Sequence, residues 1–321
     1  MAGPGEFELI REYFSSRFQT GAQAGGVDSG VVLGIGDDCA LLTPPRGKML
    51  ATSVDTLVAD VHFPASADPY RIASRALRVN LSDLAGMNAE PLWFTLALTL
   101  PESNAAWLEP FARGLADTAR LYGITLIGGD TTKGPLSITV QVTGSCDRAL
   151  RRDGASAGDH IFVSNQLGAA AAALPIVLEE YEPSEVQQQQ ADAAFYFPEP
   201  QLELARSIGA CASAGLDISD GLLADLAHIC EASGLGADLK LDTFPIAELA
   251  QSMSADAALE TALTGGDDYQ LCFTVPAKYL DHLQGLQLPI TAVGRMREAR
   301  GIDCFLGGKP WQPRGTGYRH F

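Results

Sequence analysis

The residues that could do chemistry here are aspartates, and they recur in one setting. They stand in Gly34-Ile-Gly-Asp-Asp38, Thr52-Ser-Val-Asp-Thr56, Asn80-Leu-Ser-Asp83, Ile127-Gly-Gly-Asp-Thr-Thr132, Asp217-Ile-Ser-Asp-Gly221 and Leu263-Thr-Gly-Gly-Asp-Asp268. Most follow a short apolar run, often through Gly, and several have a hydroxyl neighbour. A strand ending in Gly-Asp aims a carboxylate at a sheet edge, and the Gly lets a ligand come close to the backbone. Taken singly, each pair reads as a turn or a cap. Ser219-Asp220-Gly221 in particular reads equally well as the N-cap of a helix starting at Leu222, and Asp68 before Pro69 is a cap. Six such sites in one chain point further. Carboxylates and hydroxyls without His or Cys suit a hard cation, Mg²⁺ before Zn²⁺, and Mg²⁺ keeps coordination positions for phosphate oxygens.

The usual phosphate motifs are absent. Gly307-Gly-Lys309 runs into Pro310, so it is no Walker loop, and Gly34-x-Gly36 meets Cys39 where a dinucleotide fingerprint needs its third Gly. No kinase catalytic loop or Ser/His nucleophile arrangement is present. Asp plus Glu number 39 against 22 Lys plus Arg, a formal charge of −17. Such a surface disfavours nucleic acid and anionic membranes, and it repels phosphorylated substrates unless cations invert the local field. Six scattered cysteines without a C-x-x-C pair read as reduced core thiols. With no apolar run of membrane-spanning length and no basic leader, a cytoplasmic location is expected.

The elements that must position these groups are legible in part. The spacing predicts helices over 6–18, 68–87, 107–122, 167–178, 185–195, 202–214, 222–232 and 244–253. It predicts strands over 48–54, 92–100, 124–127, 136–143, 160–164, 270–275 and 290–293. The Gly-rich stretch 20–30 reads either as a linker or as a closing loop over a nucleotide. A break at 146–158, where Arg148, Arg151 and Arg152 meet Gly154 and Gly158, marks a domain boundary. The order of elements gives α+β or mixed α/β in each half.

In order along the chain, Gly34-Ile-Gly-Asp-Asp-Cys-Ala-Leu-Leu42, Asp55-Thr-Leu-Val58 with His62-Phe63, and Asn80-Leu-Ser-Asp-Leu-Ala85 are followed by three more motifs. These are Leu126-Ile-Gly-Gly-Asp-Thr-Thr132, Asp217-Ile-Ser-Asp-Gly-Leu222 and Gly265-Gly-Asp-Asp-Tyr269. The set resembles the bacterial thiamine-monophosphate kinases, members of the ATP-binding superfamily that includes aminoimidazole ribonucleotide synthetase. The resemblance spans nearly the whole chain and implies ATP-dependent conversion of thiamine monophosphate to thiamine diphosphate, assisted by several Mg²⁺ ions. It implies an N-terminal ATP/Mg²⁺-binding and dimerisation domain (1–147) and a C-terminal α/β domain (148–321) that completes the active site. The N-terminal mixed sheet would form a barrel across a homodimer.

By position, the resemblance makes Asp38, Ser53, the Val54 backbone, Asp55, Asp83, Asp130, Asp217 and Asp220 metal ligands. Gly129, Asp130, Arg152 and Ser219 would contact ATP, and His62 and Asp267 the substrate; no covalent nucleophile is expected. Three features depart from the family pattern. Asp267 and Gln270 stand where Glu is usual, and Phe197-Pro-Glu-Pro-Gln201 lacks flanking arginines. Tyr318 and Gly315 compete for the place of a ring-stacking aromatic. The rival readings are another ATP-using enzyme of the superfamily, a Mg²⁺-dependent phosphatase and an acidic cation-binding protein. The phosphatase would use Asp55 as nucleophile, yet Leu57 stands where its second Asp belongs.

Overall fold

The computed structural model describes residues 10–18, 30–315 and 317. The closing loop expected over 20–30 lies, apart from Gly30, outside the described residues, as does Tyr318. The chain divides into two compact units. One holds the described residues through Leu84 together with Ala89–Asp147, the other Ala85–Asn88 and the described residues from Arg148 onward. Among the described residues no helix is long and apolar enough to cross a membrane.

The first unit contains β1 (Val31–Leu33), β2 (Leu41–Leu42), β3 (Met49–Val58), α1 (Pro69–Gly86), β4 (Glu90–Leu100), α2 (Ala105–Leu121), β5 (Thr125–Lys133) and β6 (Ser137–Cys146). Before them, Ile10–Ser15 forms one π-helical turn and Ser16–Phe18 a short α-helical one, where the sequence suggested a regular amphipathic helix. Asp68 starts α1 as expected, its Oδ1 accepting from the amides of Tyr70 (2.8 Å) and Arg71 (3.3 Å) with Pro69 behind it. Leu108, Phe111 and Leu115 of α2 are buried, and Trp107 stacks on Phe111 with ring centroids 4.7 Å apart.

The four-stranded sheet runs in the order β3-β6-β4-β5, antiparallel except for the parallel β4–β5 pair. It is an open mixed sheet. Two expected strands prove longer than their apolar cores. β3 continues through Asp55 to Val58, and β5 through Gly-Gly-Asp-Thr-Thr to Lys133. Asp55 and Asp130 therefore lie within strands rather than beyond their ends. Pairing with the long β6 and β4 overrides the weak strand preference of Gly and Asp.

The second unit contains β7 (His160–Ser164), α3 (Ala169–Val177), α4 (Glu185–Tyr196), α5 (Leu202–Ile208), β8 (Ala214–Ile218), α6 (Leu222–Ser233), β9 (Gly236–Lys240), α7 (Ala255–Thr264), β10 (Gln270–Val275), α8 (Leu280–Gly285), β11 (Ile290–Arg297), β12 (Gly301–Leu306) and β13 (Lys309–Trp311). Its mixed sheet has the order β13-β12-β9-β11-β7-β10-β8. One core cluster gathers Leu222, Leu226 and Ile229 of α6 with Leu259 and Leu263 of α7 and the inward residues of β8, β9 and β11.

Two helices expected here are corrected. The one over 202–214 stops at Ile208, because 214–218 is the fully buried strand β8 paired with β10; a short apolar run bears no period that separates helix from strand. The one over 244–253 is a loop with a single 3-10 turn at Ala250–Ser252. There the Pro245 carbonyl accepts from Leu167 (2.8 Å) and the Ala247 amide donates to the Leu167 carbonyl (2.9 Å), so those groups cannot serve a helix.

Candidate active site

In the first unit, a cleft of about 770 Å³ is lined by Gly36, Asp37, Asp38, Gly129, Asp130 and Arg11, among others. The structure thus brings together Asp38, Gly129 and Asp130, which are 91 residues or more apart for the two latter positions counted from Asp38. Its size suits a small-molecule ligand. Asp37 and Asp38 are exposed, and the Asp38 amide donates to Asp37 Oδ1 at 2.9 Å. Asp37 therefore shapes the turn and leaves the Asp38 carboxylate outside it. In β5 the register against β4 shifts, Leu126 facing Phe94 and Gly128 facing Thr95, so Ile127 is the extra residue of a bulge. Two positions on, Gly129 has φ +155°, and a Cβ there would stand 1.8 Å from the Leu96 carbonyl oxygen. Only glycine fits.

A second cluster lies on β3 and α1. Ser53 Oγ donates to Asp83 Oδ2 at 2.5 Å, and the Asp55 amide donates to Asn80 Oδ1 at 3.1 Å. Burial pushes the Asp55 carboxyl up to about 6, with the neighbouring charge of Asp83 and a hydrogen bond to it adding to the rise. Two carboxyl groups are thus held against each other with a hydroxyl beside them, a hard-oxygen arrangement that a cation would relieve. Among the described residues no three His, Cys, Asp or Glu side chains are grouped as a metal cage.

These two clusters do not coincide. Asp55 pairs with Val140, Val140 with Leu96 and Leu96 with Gly129. Asp55 and the Gly129-Asp130 pair therefore occupy opposite edges of the sheet, about 14 Å apart at three strand spacings. His62 closes the turn after β3, its Nδ1 accepting from the Val58 amide at 3.0 Å. This bond commits one ring nitrogen to the fold.

In the second unit, Asp217 is buried in β8 and Ser219 and Asp220 follow it. The N-cap reading of Asp220 is corrected: Gly221 occupies the cap position with no side-chain hydrogen bond. Instead Asp225 Oδ2, within α6, accepts from the amides of Ser219 and Asp220 at 3.0 Å each. The neighbouring loop is tied to the same backbone, the Asp267 amide donating to the Ser219 carbonyl and the Tyr269 amide to the Ile218 carbonyl, both at 2.8 Å. Asp267 takes φ +68° and accepts at Oδ1 from the Tyr269 hydroxyl at 2.8 Å. Its neighbour Asp268 is buried against the start of α3 and accepts from the Gly168 amide at 2.6 Å. Burial raises the Asp268 carboxyl to about 7 against the pull of those backbone amides, and burial likewise raises Asp225 to about 7.

Of the three arginines at 148–152, two are engaged by the fold. Arg148 donates to the Gly209 and Ala212 carbonyls, each at 3.4 Å, and Arg151 pairs with Asp153. Arg152 sits exposed on the turn Arg152–Gly154, held through its carbonyl by Ser233 Oγ at 2.9 Å, with its guanidinium in no hydrogen bond or ion pair among the described residues. Gln270 belongs to the framework: its Oε1 accepts from Ser164 Oγ (2.7 Å) and Asn165 Nδ2 (2.9 Å). Asn165 Nδ2 also reaches Gln201 Oε1 at 3.1 Å. The departures from the family pattern at 201 and 270 therefore meet in one neutral amide network.

Sequence reasoning missed Arg11, Asp225 and Asp268. Asp268 was visible beside Asp267, but its burial was not. Asp225 sits one helical turn inside α6, where an acid reads as an ordinary solvated helix residue. Arg11 lay on the polar side of an expected helix.

The four-stranded mixed sheet and the seven-stranded mixed sheet together make the two-domain α/β fold of the aminoimidazole ribonucleotide (AIR) synthase related proteins. Residues 36–146 match the N-terminal domain of the AIR synthase related protein family and 156–306 its C-terminal domain. The thiamine-monophosphate kinase of Escherichia coli (strain K12) is 43% identical over 99% of this chain and 98% of its own. That of Haemophilus influenzae is 39% identical over 99% and 98%. The chain belongs to the thiamine-monophosphate kinase branch of the AIR synthase related family. The crystal structure of the Stenotrophomonas maltophilia kinase superimposes with a TM-score of 0.83 at 39% identity, covering 94% of this chain and 96% of that one. A structure of AaThiL complexed with AMPPCP and TMP gives 0.78 at 32% identity, covering 89% and 92%. Hydrogenase maturation protein HypE in complex with ATP shares the fold at 18% identity and a TM-score of 0.75, covering 95% and 93%.

Proposed function

We propose that this chain transfers the γ-phosphoryl group of ATP to the phosphate of thiamine monophosphate, giving thiamine diphosphate and ADP. The observation that carries the reading is the cleft in which Asp38, Gly129 and Asp130 meet, in a chain 43% identical over nearly its full length to a thiamine-monophosphate kinase. In the first unit Asp38, Ser53, the Val54 carbonyl, Asp55, Asp83 and Asp130 are the proposed Mg²⁺ ligands, and in the second Asp217 and Asp220. Bound Mg²⁺ would neutralise and align the two phosphate groups for in-line transfer. Gly129 admits the nucleotide to the β5 backbone, Ser219 contacts it, and the Arg152 guanidinium pairs with its phosphates. His62 and Asp267 bind the acceptor. A phosphate monoester is already anionic at neutral pH, so its attack needs no general base. His62, held by the Val58 amide, is a binding group. A cytoplasmic location belongs to the same reading.

Incubation with ATP, Mg²⁺ and thiamine monophosphate is expected to yield ADP and thiamine diphosphate in equal amounts. Phosphate release without ADP would favour the phosphatase, and cation binding without turnover the binding protein.

The reading includes a homodimer joined through the first unit's sheet. Both edge strands, β3 and β5, lack a further strand neighbour among the described residues, and Met49, Leu50 and Val54 on β3 are exposed. Such edges are pairing sites. A partner's β5 laid beside β3 would also bring the two carboxylate clusters together. Sedimentation equilibrium is expected to give twice the chain mass. A fully active monomer would remove the dimer from the scheme.

A further inference from the structure

We propose that Asp225 is a positioning residue for nucleotide binding, acting through the backbone of Ser219 and Asp220. The inference rests on the kinase reading, which makes those two residues nucleotide and metal contacts.

The segment before a helix ordinarily spends a side-chain oxygen on the helix's free amides. Ser219 and Asp220 have the right chemistry for that task, and here neither does it. Gly221 fills the cap position with φ +105°, where a Cβ would stand 2.7 Å from the Thr264 carbonyl oxygen. Asp225, 4% exposed on the first turn of α6, reaches back and takes both loop amides on one carboxylate oxygen. On its other side the loop is fixed by the Asp267 amide on the Ser219 carbonyl, and a Cβ on Gly266 would come within 2.7 Å of that same oxygen. The backbone of Ser219 is thus held through both its N–H and its C=O. Among the described residues, Ser219 Oγ and the Asp220 carboxylate make no hydrogen bond at all. An inward-facing helix carboxylate braces the loop ahead of the helix, and the two polar side chains of that loop are left uncommitted at a fixed place. That is the arrangement a preorganised ligand site requires.

The same logic separates Asp225 from a residue that merely stabilises α6. The group it holds is the loop outside the helix, and what the site needs from it is an acceptor oxygen, which asparagine also provides.

The test compares Asp225→Ala and Asp225→Asn with the wild-type protein, full length. In Asp225→Ala, hydrogen exchange of the 219–220 amides is expected to accelerate and KM for MgATP to rise about 10- to 100-fold. KM for thiamine monophosphate should change by less than about 3-fold. Asp225→Asn should restore MgATP affinity to within about 3-fold of wild type, since its amide oxygen accepts from the same two N–H groups. A folded Ala variant with wild-type KM for MgATP overturns the proposal. So does an Asn variant as impaired as Ala, which also decides the matter if the Ala variant fails to fold. If the wild type does not phosphorylate thiamine monophosphate, the activity reading falls, and calorimetric MgATP affinities of the same variants still judge the brace. Absent MgATP binding to wild type overturns it.

Discussion

Asp130→Asn is expected to lower kcat/KM for phosphoryl transfer by about 10³-fold, a loss of about 4 kcal/mol of transition-state stabilisation, with the fold unchanged. Asp130 is exposed on an edge strand and makes no hydrogen bond or ion pair among the described residues. Its carboxylate does no work for stability, so substitution should move the unfolding free energy by no more than about 0.5 kcal/mol, a degree or two in Tm. Asparagine keeps the shape and removes the charge, which is the property a Mg²⁺ ligand needs. Steady-state kinetics and a thermal melt on one preparation check both halves. Normal turnover would take Asp130 out of the metal set, and a large fall in Tm would give it a structural duty that its exposure denies.

The second expectation carries opposite signs for activity and stability. Asp55→Asn should cost a comparable share of kcat/KM yet make the metal-free protein more stable. Burial, then the charge of Asp83 and a hydrogen bond to it, hold the Asp55 carboxyl at about 6 in the folded protein against an ordinary 3.8. Between those values the native state binds more protons than the unfolded one, so stability falls as pH rises through that interval. Above about pH 6 the full penalty is present, and below about pH 4 it is gone. Screening at a half-buried site leaves on the order of 1–2 kcal/mol. In chelator at pH 8, the Asn variant should therefore melt above wild type. Acidification from pH 8 to 5 should then stabilise wild type more than the variant by about half of that increment, the rest appearing only on the way to pH 4. Added Mg²⁺ should raise the wild-type Tm and largely spare the variant. A variant melting below wild type in chelator would mean that the Asp55–Asp83 pair is a stabilising contact and not a strained cation site.

The loss of transfer in Asp130→Asn could be named from the sequence, whereas the stability gain at Asp55 could not. Gly-Gly-Asp in the chain says that a carboxylate follows two flexible positions. It does not say that β5 runs on through them as an edge strand, which depends on pairing with β4. Thr-Ser-Val-Asp says that a carboxylate follows a strand-forming run. That the strand passes beyond it, and that α1 sets Asp83 and Asn80 against it, depends on packing between segments 25 or more residues apart. Local signals served where the controlling contact was local: the Asp68 cap of α1 and the buried stripe of α2 were readable because both partners lie within a turn or two. They misled at 202–214 and 244–253, where β10 and Leu167 claimed backbone groups that a helix would have used.

The sequence by itself determined the chemistry on offer: an acidic chain with hard-oxygen donors in ordered Gly-Asp motifs, and through those motifs its family. Residue type and spacing along the chain are enough for that. Only the tertiary structure decided which of those carboxylates meet. It placed Asp38 with Asp130 in one cleft and Asp55 with Asp83 at the opposite sheet edge. It also made Asp225 the brace of Ser219 and Asp220. Strand order, register and burial set those distances and pKa shifts, and they arise from contacts between parts of the chain that sequence neighbours do not encode.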